Sequence, residues 1–548
     1  MFSTDLDGIV EKLSIPNDAI DPRGRSVLKI DPAKVTGAEK GRVVLVTAMT
    51  PTPAGEGKTT TSIGLVDGLW RKGVKAIGAL REPSLGPLFG RKGGAIGGGE
   101  SKVVPADQIN MHFTGDLHAV TSTHNLLSAM LDNHLYFGNE PKMNAEDVTW
   151  GRVLDMNDRA LRKVEVGSAT KKGPVRMDRF DITAASEIMA ILCMSKDVDD
   201  LQERLSRIII GLTPDGTPVT AGDLKATGAL AAVLIEATKP NLVRTLEGNP
   251  VFVHGGPFAN IAQGTSSVMQ TKLCRQLGDV VVTEAGFAFD LGGYKFLDLK
   301  CRNAGIMPAA VVLVATVRAL RYHGGADHEA GPNLEAVERG LENLSAHIEA
   351  MKRLGLPTPI ISINRFPDDS DEELSIVKQT VQKHGAVAVE GDYFAKGGEG
   401  AEELAGALMK RLELDEADSP DYVSPYQLED SLPQKVESIA KTVLGASGVE
   451  LTDSAKSDLA SIEKMGLAGL PVCLAKTHLS ISDDKTVQGR PGPFTLKVTG
   501  FRPAAGAGFV VALCGPILTM PGLPKAPAAY GVGVERSPEG AWEIFGLR

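Results

Sequence analysis

Short apolar runs recur along the chain, and many are followed directly by glycine or a polar turn. Val43–Val46, Ile208–Ile210, Val251–Val253, Val280–Val282 and Val311–Val314 are of this kind. Such runs predict buried parallel strands with loops at their C-terminal ends. Further strands are expected at Val74–Leu80, Ile360–Ile363, Val472–Ala475 and Phe509–Leu513, and helices over Ala184–Met194 and Leu334–Leu354. The alternation predicts an α/β protein with a doubly wound, mostly parallel sheet. Ligands of such sheets bind where the strands end.

The chain has 548 residues, too many for one ordinary core. Gly355-Leu-Pro-Thr-Pro359 breaks a helix and opens a new strand, and a second break falls near Gly445–Gly448. The expected division is a large domain over residues 1–345, a second over 346–445 and a third over 446–548, the last two being smaller α/β domains. Residues 414–425 are acidic and contain proline, as a surface connection would.

Hydrophobic residues are 43% and charged residues 23%, ordinary for a soluble globular protein. The net charge is −10, from 58 basic and 68 acidic residues, which argues against a nucleic-acid surface but not against a local cationic pocket. Cys193, Cys274, Cys301, Cys473 and Cys514 contain no CxxC pair, and a sparse, odd set fits a reducing compartment. The first residues lack a signal-peptide pattern, and no apolar run reaches the roughly 18 residues of a membrane span. A cytoplasmic protein without membrane or nucleic-acid partners is expected.

The strongest local signal begins with the β-run Arg42–Met49. It leads into Thr52-Pro53-Ala54-Gly55-Glu56-Gly57-Lys58-Thr59, followed by a helix expected from about Thr60 with Ile63, Leu65, Val66 and Leu69 on its apolar face. Strand, Gly-rich loop and helix in that order make a phosphate loop (P-loop). Small residues let backbone N–H groups turn toward phosphate oxygens, and the helix N-terminus adds partial positive charge. Lys58 would reach the terminal phosphates, and the Thr59 hydroxyl would ligate Mg²⁺. Thr52 stands where the strict motif has glycine. The loop implies ATP or GTP.

The strand Val74–Leu80 ends at Arg81, whose planar fork suits phosphate or carboxylate. Gly86–Gly99 has seven glycines in fourteen residues, a density read as neither helix nor ordinary strand but as a loop closing over ligands, with Phe89, Arg91 and Lys92 within it. His112, His118, His124 and His134 lack metal-ligand spacing and are expected to be hydrogen-bonded structural residues.

The segments TPAGEGKT (Thr52–Thr59), LREPSLGPLFG (Leu80–Gly90), KGGAIGGG, NMHFTG (Asn110–Gly115) and VHGGPFANIA (Val253–Ala262) resemble the signatures of formate–tetrahydrofolate ligases. So do Ala475–Thr477, Ser482–Asp484, Gly506–Phe509 and Met520–Lys525, so that the resemblance runs from about residue 20 to the C-terminus. It departs at Glu100 (usually Tyr), Gln263 (His), Thr265 (Cys) and Phe394 (Trp).

The resemblance implies ligation of formate to tetrahydrofolate with ATP and Mg²⁺, through formyl phosphate. It implies a homotetramer, a monovalent cation activator, and a single-function enzyme. Lys58 and the loop backbone would hold phosphates. Arg81 would hold formate and then formyl phosphate. Glu284, after Val280–Val282, is a candidate partner acid for Mg²⁺. Phe366 and Phe394 would stack on the pterin of the folate. The loop His254–Asn260 is expected to face the ligand edge, against nucleotide or folate. A P-loop ATPase switch is the alternative that the phosphate loop alone leaves open.

Overall fold

The computed structural model describes residues 4–90, 96–169, 172–327, 331–414, 422–538 and 540–547. A large sheet organises the first 390 or so residues. Its labelled strands are β1 (Arg42–Ala48), β2 (Ala76–Leu80), β3 (Asn241–Thr245), β4 (Pro250–Val253), β5 (Val280–Glu284), β6 (Pro308–Ala315), β7 (Ile360–Asn364) and β8 (Val387–Gly391). In space they run β3-β4-β2-β5-β1-β6-β7-β8. From β4 to β8 every neighbouring pair is parallel, while β3 pairs antiparallel with β4. The parallel strands therefore all end on one edge. The sheet runs across residue 346, because β7 and β8 extend it beyond β6.

β1 shows why these runs are strands. From Val43 to Ala48 every residue is buried, which parallel neighbours on both sides and cover on both faces require. Val43 and Leu45 join one apolar cluster, and Val44, Val46 and Ala48 another. Helix α1 (Lys58–Arg71) covers the second face through Leu65, Val66 and Leu69. Helix α2 (Leu334–Arg353) belongs to the first cluster through Val337, Leu344 and Ile348. Each such side chain contributes about 1.5–3 kcal/mol on burial, so the two-faced pattern fixes β1 at the centre.

Elsewhere the expectations need correction. Ile208–Ile210 does not join the parallel sheet. Ile209–Leu212 pairs antiparallel with Pro218–Thr220, because the turn closed by Thr213 N–H on the Thr217 carbonyl (2.9 Å) supplies a partner nearby. The helix expected from Ala184 starts at Glu187, where the Ser186 hydroxyl caps the Ile188 N–H. The Gly-rich segment is not loop throughout: Leu85–Gly90 is helical, and Gly97–Gly98 pairs with Ser101–Lys102. Asp155 accepts from Leu85 N–H at 3.2 Å, which anchors the start of that helix. Arg91 and Lys92 lie outside the described residues.

The C-terminal part has its own sheet of Val472–Ala475, Gly500–Ala504 and Phe509–Leu513. A buried ion pair between Lys476 and Asp290 (2.6 Å) fastens it to the segment following β5. Among the described residues no helix is long and apolar enough to cross a membrane.

Candidate active site

The parallel strands deliver the predicted residues to one edge. The Thr52–Thr59 loop follows β1, Arg81 follows β2, Glu284 ends β5, and Phe366 and Phe394 follow β7 and β8.

The loop is held from inside. The buried Glu56 carboxylate accepts from Thr52 N–H at 2.6 Å and from the Thr316 hydroxyl just after β6. The Thr52 hydroxyl accepts from Ala54 N–H at 3.3 Å, and Pro53 and Ala54 are exposed at the tip. Arg318 donates to the Gly55 carbonyl at 2.9 Å, and Asn364 to the Glu56 carbonyl at 3.2 Å. Gly57 caps α1 with φ of 75°, and a Cβ there would stand 2.5 Å from the Asn364 amide nitrogen. Both the left-handed backbone and the close approach demand glycine. The helix starts at Lys58, two residues before the expected Thr60, so its first unpaired N–H groups belong to the motif itself.

Glu284 joins the loop to Arg81. One of its oxygens accepts from the Thr59 hydroxyl at 2.8 Å, and the other lies 3.4 Å from Arg81 Nη2. Its side chain is 2% exposed and that of Arg81 17%. Lys58 stands beside this pair: loss of water around its ammonium lowers its pKa, Glu284 and then Glu56 oppose that, and Arg81 adds to it. A cation depleted of water next to a buried carboxylate is poised for anionic phosphate.

Several buried polar atoms nearby have no protein partner among the described residues. They include Arg81 Nε, the Asn260 side-chain amide oxygen, both amide atoms of Gln263 and the Thr265 hydroxyl. Buried groups of this kind need water or ligand atoms. Glu82 turns inward behind Arg81, and burial, followed by the nearby Asp116, drives its pKa well above the ordinary carboxylate range against the pull of Lys29.

The expectation for His254 needs correction. Its ring is buried and bonded to the Ser267 hydroxyl and the Ala237 carbonyl, both at 2.6 Å, so it braces the loop rather than facing a ligand. His124 is bonded to the Ser186 hydroxyl at 2.8 Å and stacked on Trp150, and His134 reaches the Pro141 carbonyl at 2.8 Å.

The two predicted aromatic rings are supported differently. Phe366 N–H donates to Asp369 at 2.8 Å, in a turn that Arg321 grips through Asp368 and Glu373 (2.8 and 2.7 Å). The Arg318 guanidinium lies 4.6 Å from the Phe366 ring centre. Phe394 is 64% exposed. Its carbonyl accepts from Glu100 N–H at 2.9 Å, and a Cβ on Gly99 would come within 2.0 Å of that oxygen, so the glycine run ends pressed against this turn. The neighbouring Tyr393 is the buried anchor, bonded to the Ser362 hydroxyl at 2.7 Å.

The family model described as formate–tetrahydrofolate ligase matches residues 3–547. The chain belongs to the formate–tetrahydrofolate ligase family. Curated formate–tetrahydrofolate ligases from Methylobacterium nodulans and Methylorubrum populi are each 49% identical to it. The first alignment covers 97% of this chain and 96% of the relative, the second 95% and 94%. Membership of this ligase family does not favour the ATPase switch left open by the phosphate loop.

Sequence reasoning missed other residues at this edge of the ligase fold. Arg318 touches both the phosphate loop and Phe366, and Asn364 latches Glu56. Phe287, three residues past Glu284, has a positive φ of 61° and stacks on His478 with ring centres 4.3 Å apart. A bulky residue held in that region costs about 1–3 kcal/mol and marks functional sites. The Gly-Phe dipeptide after an apolar strand was the available sequence signal, and it does not encode strain.

Proposed function

We propose that this chain ligates formate to tetrahydrofolate with ATP, giving 10-formyltetrahydrofolate, ADP and phosphate through formyl phosphate. The observation that carries the reading is Glu284, whose two oxygens meet the Thr59 hydroxyl and the Arg81 guanidinium. Phosphate-loop chemistry and an anion-binding arginine thereby share one carboxylate.

Formate is a poor acyl donor because oxide or hydroxide would have to leave. In the first step a formate oxygen attacks the γ-phosphorus of ATP, and the bond to the bridging oxygen of ADP breaks. Lys58 and the backbone N–H groups of the Thr52–Thr59 loop hold the phosphates, and Arg81 holds formate in line. In the second step the N10 amine of tetrahydrofolate attacks the formyl carbon, the bond to the phosphate oxygen breaks, and inorganic phosphate departs with the N10 proton. Arg81 keeps the anionic phosphate in place as it becomes the leaving group.

A hydroxyl and a carboxylate oxygen 2.8 Å apart beside a phosphate loop suit Mg²⁺, a hard cation held by one or two protein oxygens together with substrate phosphates. Thr59 would ligate it and Glu284 would support it, and the ion would neutralise charge on the transferring phosphoryl group. Phe366 and Phe394 offer flat faces for the pterin. A homotetramer and activation by a monovalent cation belong to the same reading.

The test is to mix purified protein with MgATP, formate and tetrahydrofolate, acidify, and read the absorbance of methenyl-tetrahydrofolate. A signal that needs all three substrates supports the proposal. ATP consumption without formate and tetrahydrofolate would return the assignment to an ATPase.

A further inference from the structure

A cavity of about 490 Å³ opens between the segment around Trp150 and Arg179 and the C-terminal sheet. None of Lys58, Thr59, Arg81, Glu284, Phe366 or Phe394 lines it. Its size is within the usual range for small-molecule sites. The walls are mainly apolar, with Trp150, Ile462, Phe501 and Val511 among them.

Its charged groups are unequally satisfied. Asp181 accepts from the Thr519 hydroxyl at 2.5 Å, and Asp458 from Phe501 N–H at 2.9 Å. Glu187 accepts from Gly506 and Ala507 N–H at 2.8 and 3.2 Å, and burial pushes its pKa up to about 7, so near neutrality it carries only part of a charge. The donors are not matched in this way. Arg179 spends one nitrogen on the Thr149 carbonyl (3.1 Å), while its Nε makes no hydrogen bond and has only Asp181 at 3.5 Å. Arg502 lines the same cavity and makes no side-chain hydrogen bond among the described residues. Loss of water, and then the nearby Arg179, lower its pKa, against Asp181 and Asp458. The buried Arg179 Nε is thus a donor with no hydrogen bond, the Arg502 side chain that lines the same cavity is exposed, and an acceptor from outside would complete the arginine pair.

We propose that this cavity is a second small-molecule site, which takes an amphipathic anion with a flat apolar body and one carboxylate or phosphate end held by Arg502 and Arg179. The body lies against the apolar walls and the anion at the guanidiniums. Ile261 and Ala262 form part of the wall, and they end the loop whose Asn260 is among the unpartnered groups near the catalytic edge. Occupancy is thereby connected to that edge through one short segment.

The test uses full-length protein saturated with MgADP and tetrahydrofolate, titrated with 1-anilinonaphthalene-8-sulfonate and followed by fluorescence. The expected result is one saturable site, weakened roughly tenfold or more by Arg502→Gln and less by Arg502→Lys. Ser461→Trp, which places a large ring at the rim, should abolish binding, and both Arg502→Gln and Ser461→Trp should keep the wild-type kcat. N-phenyl-1-naphthylamine, the same body without the sulfonate, should be indifferent to Arg502→Gln. Displacement of the dye by 2-naphthoate or by naphthyl phosphate separates a carboxylate from a phosphate end. Absence of a saturable site in the protein saturated with its catalytic ligands, or wild-type affinity in Arg502→Gln, overturns the proposal.

Discussion

The residues assigned to ATP and formate and those assigned to folate share one edge of the sheet but are built differently. Thr59, Glu284 and Arg81 form a chain of short polar contacts around a carboxylate that is 2% exposed, and the loop that carries Lys58 is fixed by Glu56, Arg318 and Asn364. Phe394 is 64% exposed, and its own backbone is what the structure anchors. Preorganised buried charge acts where charge develops in a transition state. An exposed ring acts mainly on binding, through stacking and burial. Phe366 stands between the two, since Arg318 touches both its face and the phosphate loop.

Substitutions should therefore separate kcat from KM. The largest effect is expected for Lys58→Gln, a loss of kcat/KM on the order of 10³ carried mostly by kcat. Steady-state kinetics with each substrate varied in turn checks this, and an unchanged kcat would remove Lys58 from phosphoryl transfer. Glu284→Gln should lower kcat by about 10² and raise the Mg²⁺ concentration needed for half-maximal rate, because it weakens contacts to both Thr59 and Arg81. A normal Mg²⁺ dependence would reduce Glu284 to a structural acid.

Phe394→Ala should raise the KM for tetrahydrofolate by roughly tenfold, the scale of one lost stacking face, and leave the KM for ATP unchanged. Equal changes in both would erase the contrast between the two groups of residues.

The smallest change in activity, close to none, is expected for Asp67→Asn on α1. Asp67 accepts from the Thr245 hydroxyl and the Asn249 amide, both at 2.6 Å, and burial lifts its pKa to about 7 despite those bonds. Its folded pKa is raised above its unfolded value of 3.8, so the folded chain holds a proton that the unfolded chain releases. That contribution is fully present below about pH 4 and is lost as pH rises through about 7. Asp67→Asn should therefore melt a few degrees above the parent at pH 8 and show little difference at pH 4. A melting difference independent of pH would mean that Asp67 is ionised in the folded protein at every pH tested.

Legibility followed sequence distance. The strand, loop and helix start around Thr52–Thr59 could be read because they are contiguous in the chain. Arg81 was legible for the same reason, as the first residue after an apolar strand. Glu284 could only be placed at a strand end, because its partners lie 225 and 203 positions away and become neighbours only when β5 is inserted between β2 and β1. Arg318 and Asn364 gave no local signal, since one Arg in a helix and one Asn at a strand end look like many others. Ile208–Ile210 misled because an apolar run does not say whether its partner is a distant strand or the next hairpin arm.

The sequence by itself determined the alternation of strands and helices, the strand–loop–helix unit around Lys58 and, through several long signatures in order, the family. Those depend on local backbone preference, on apolar periodicity and on residues that touch their own neighbours in the chain. Tertiary structure decided which strand ends lie side by side, which acid meets Thr59 and Arg81, that His254 braces its loop from inside, and that Phe287 is held in a strained backbone. Strand order is set by the packing of the whole sheet against helices on both faces, and that interaction has no local signature in the chain.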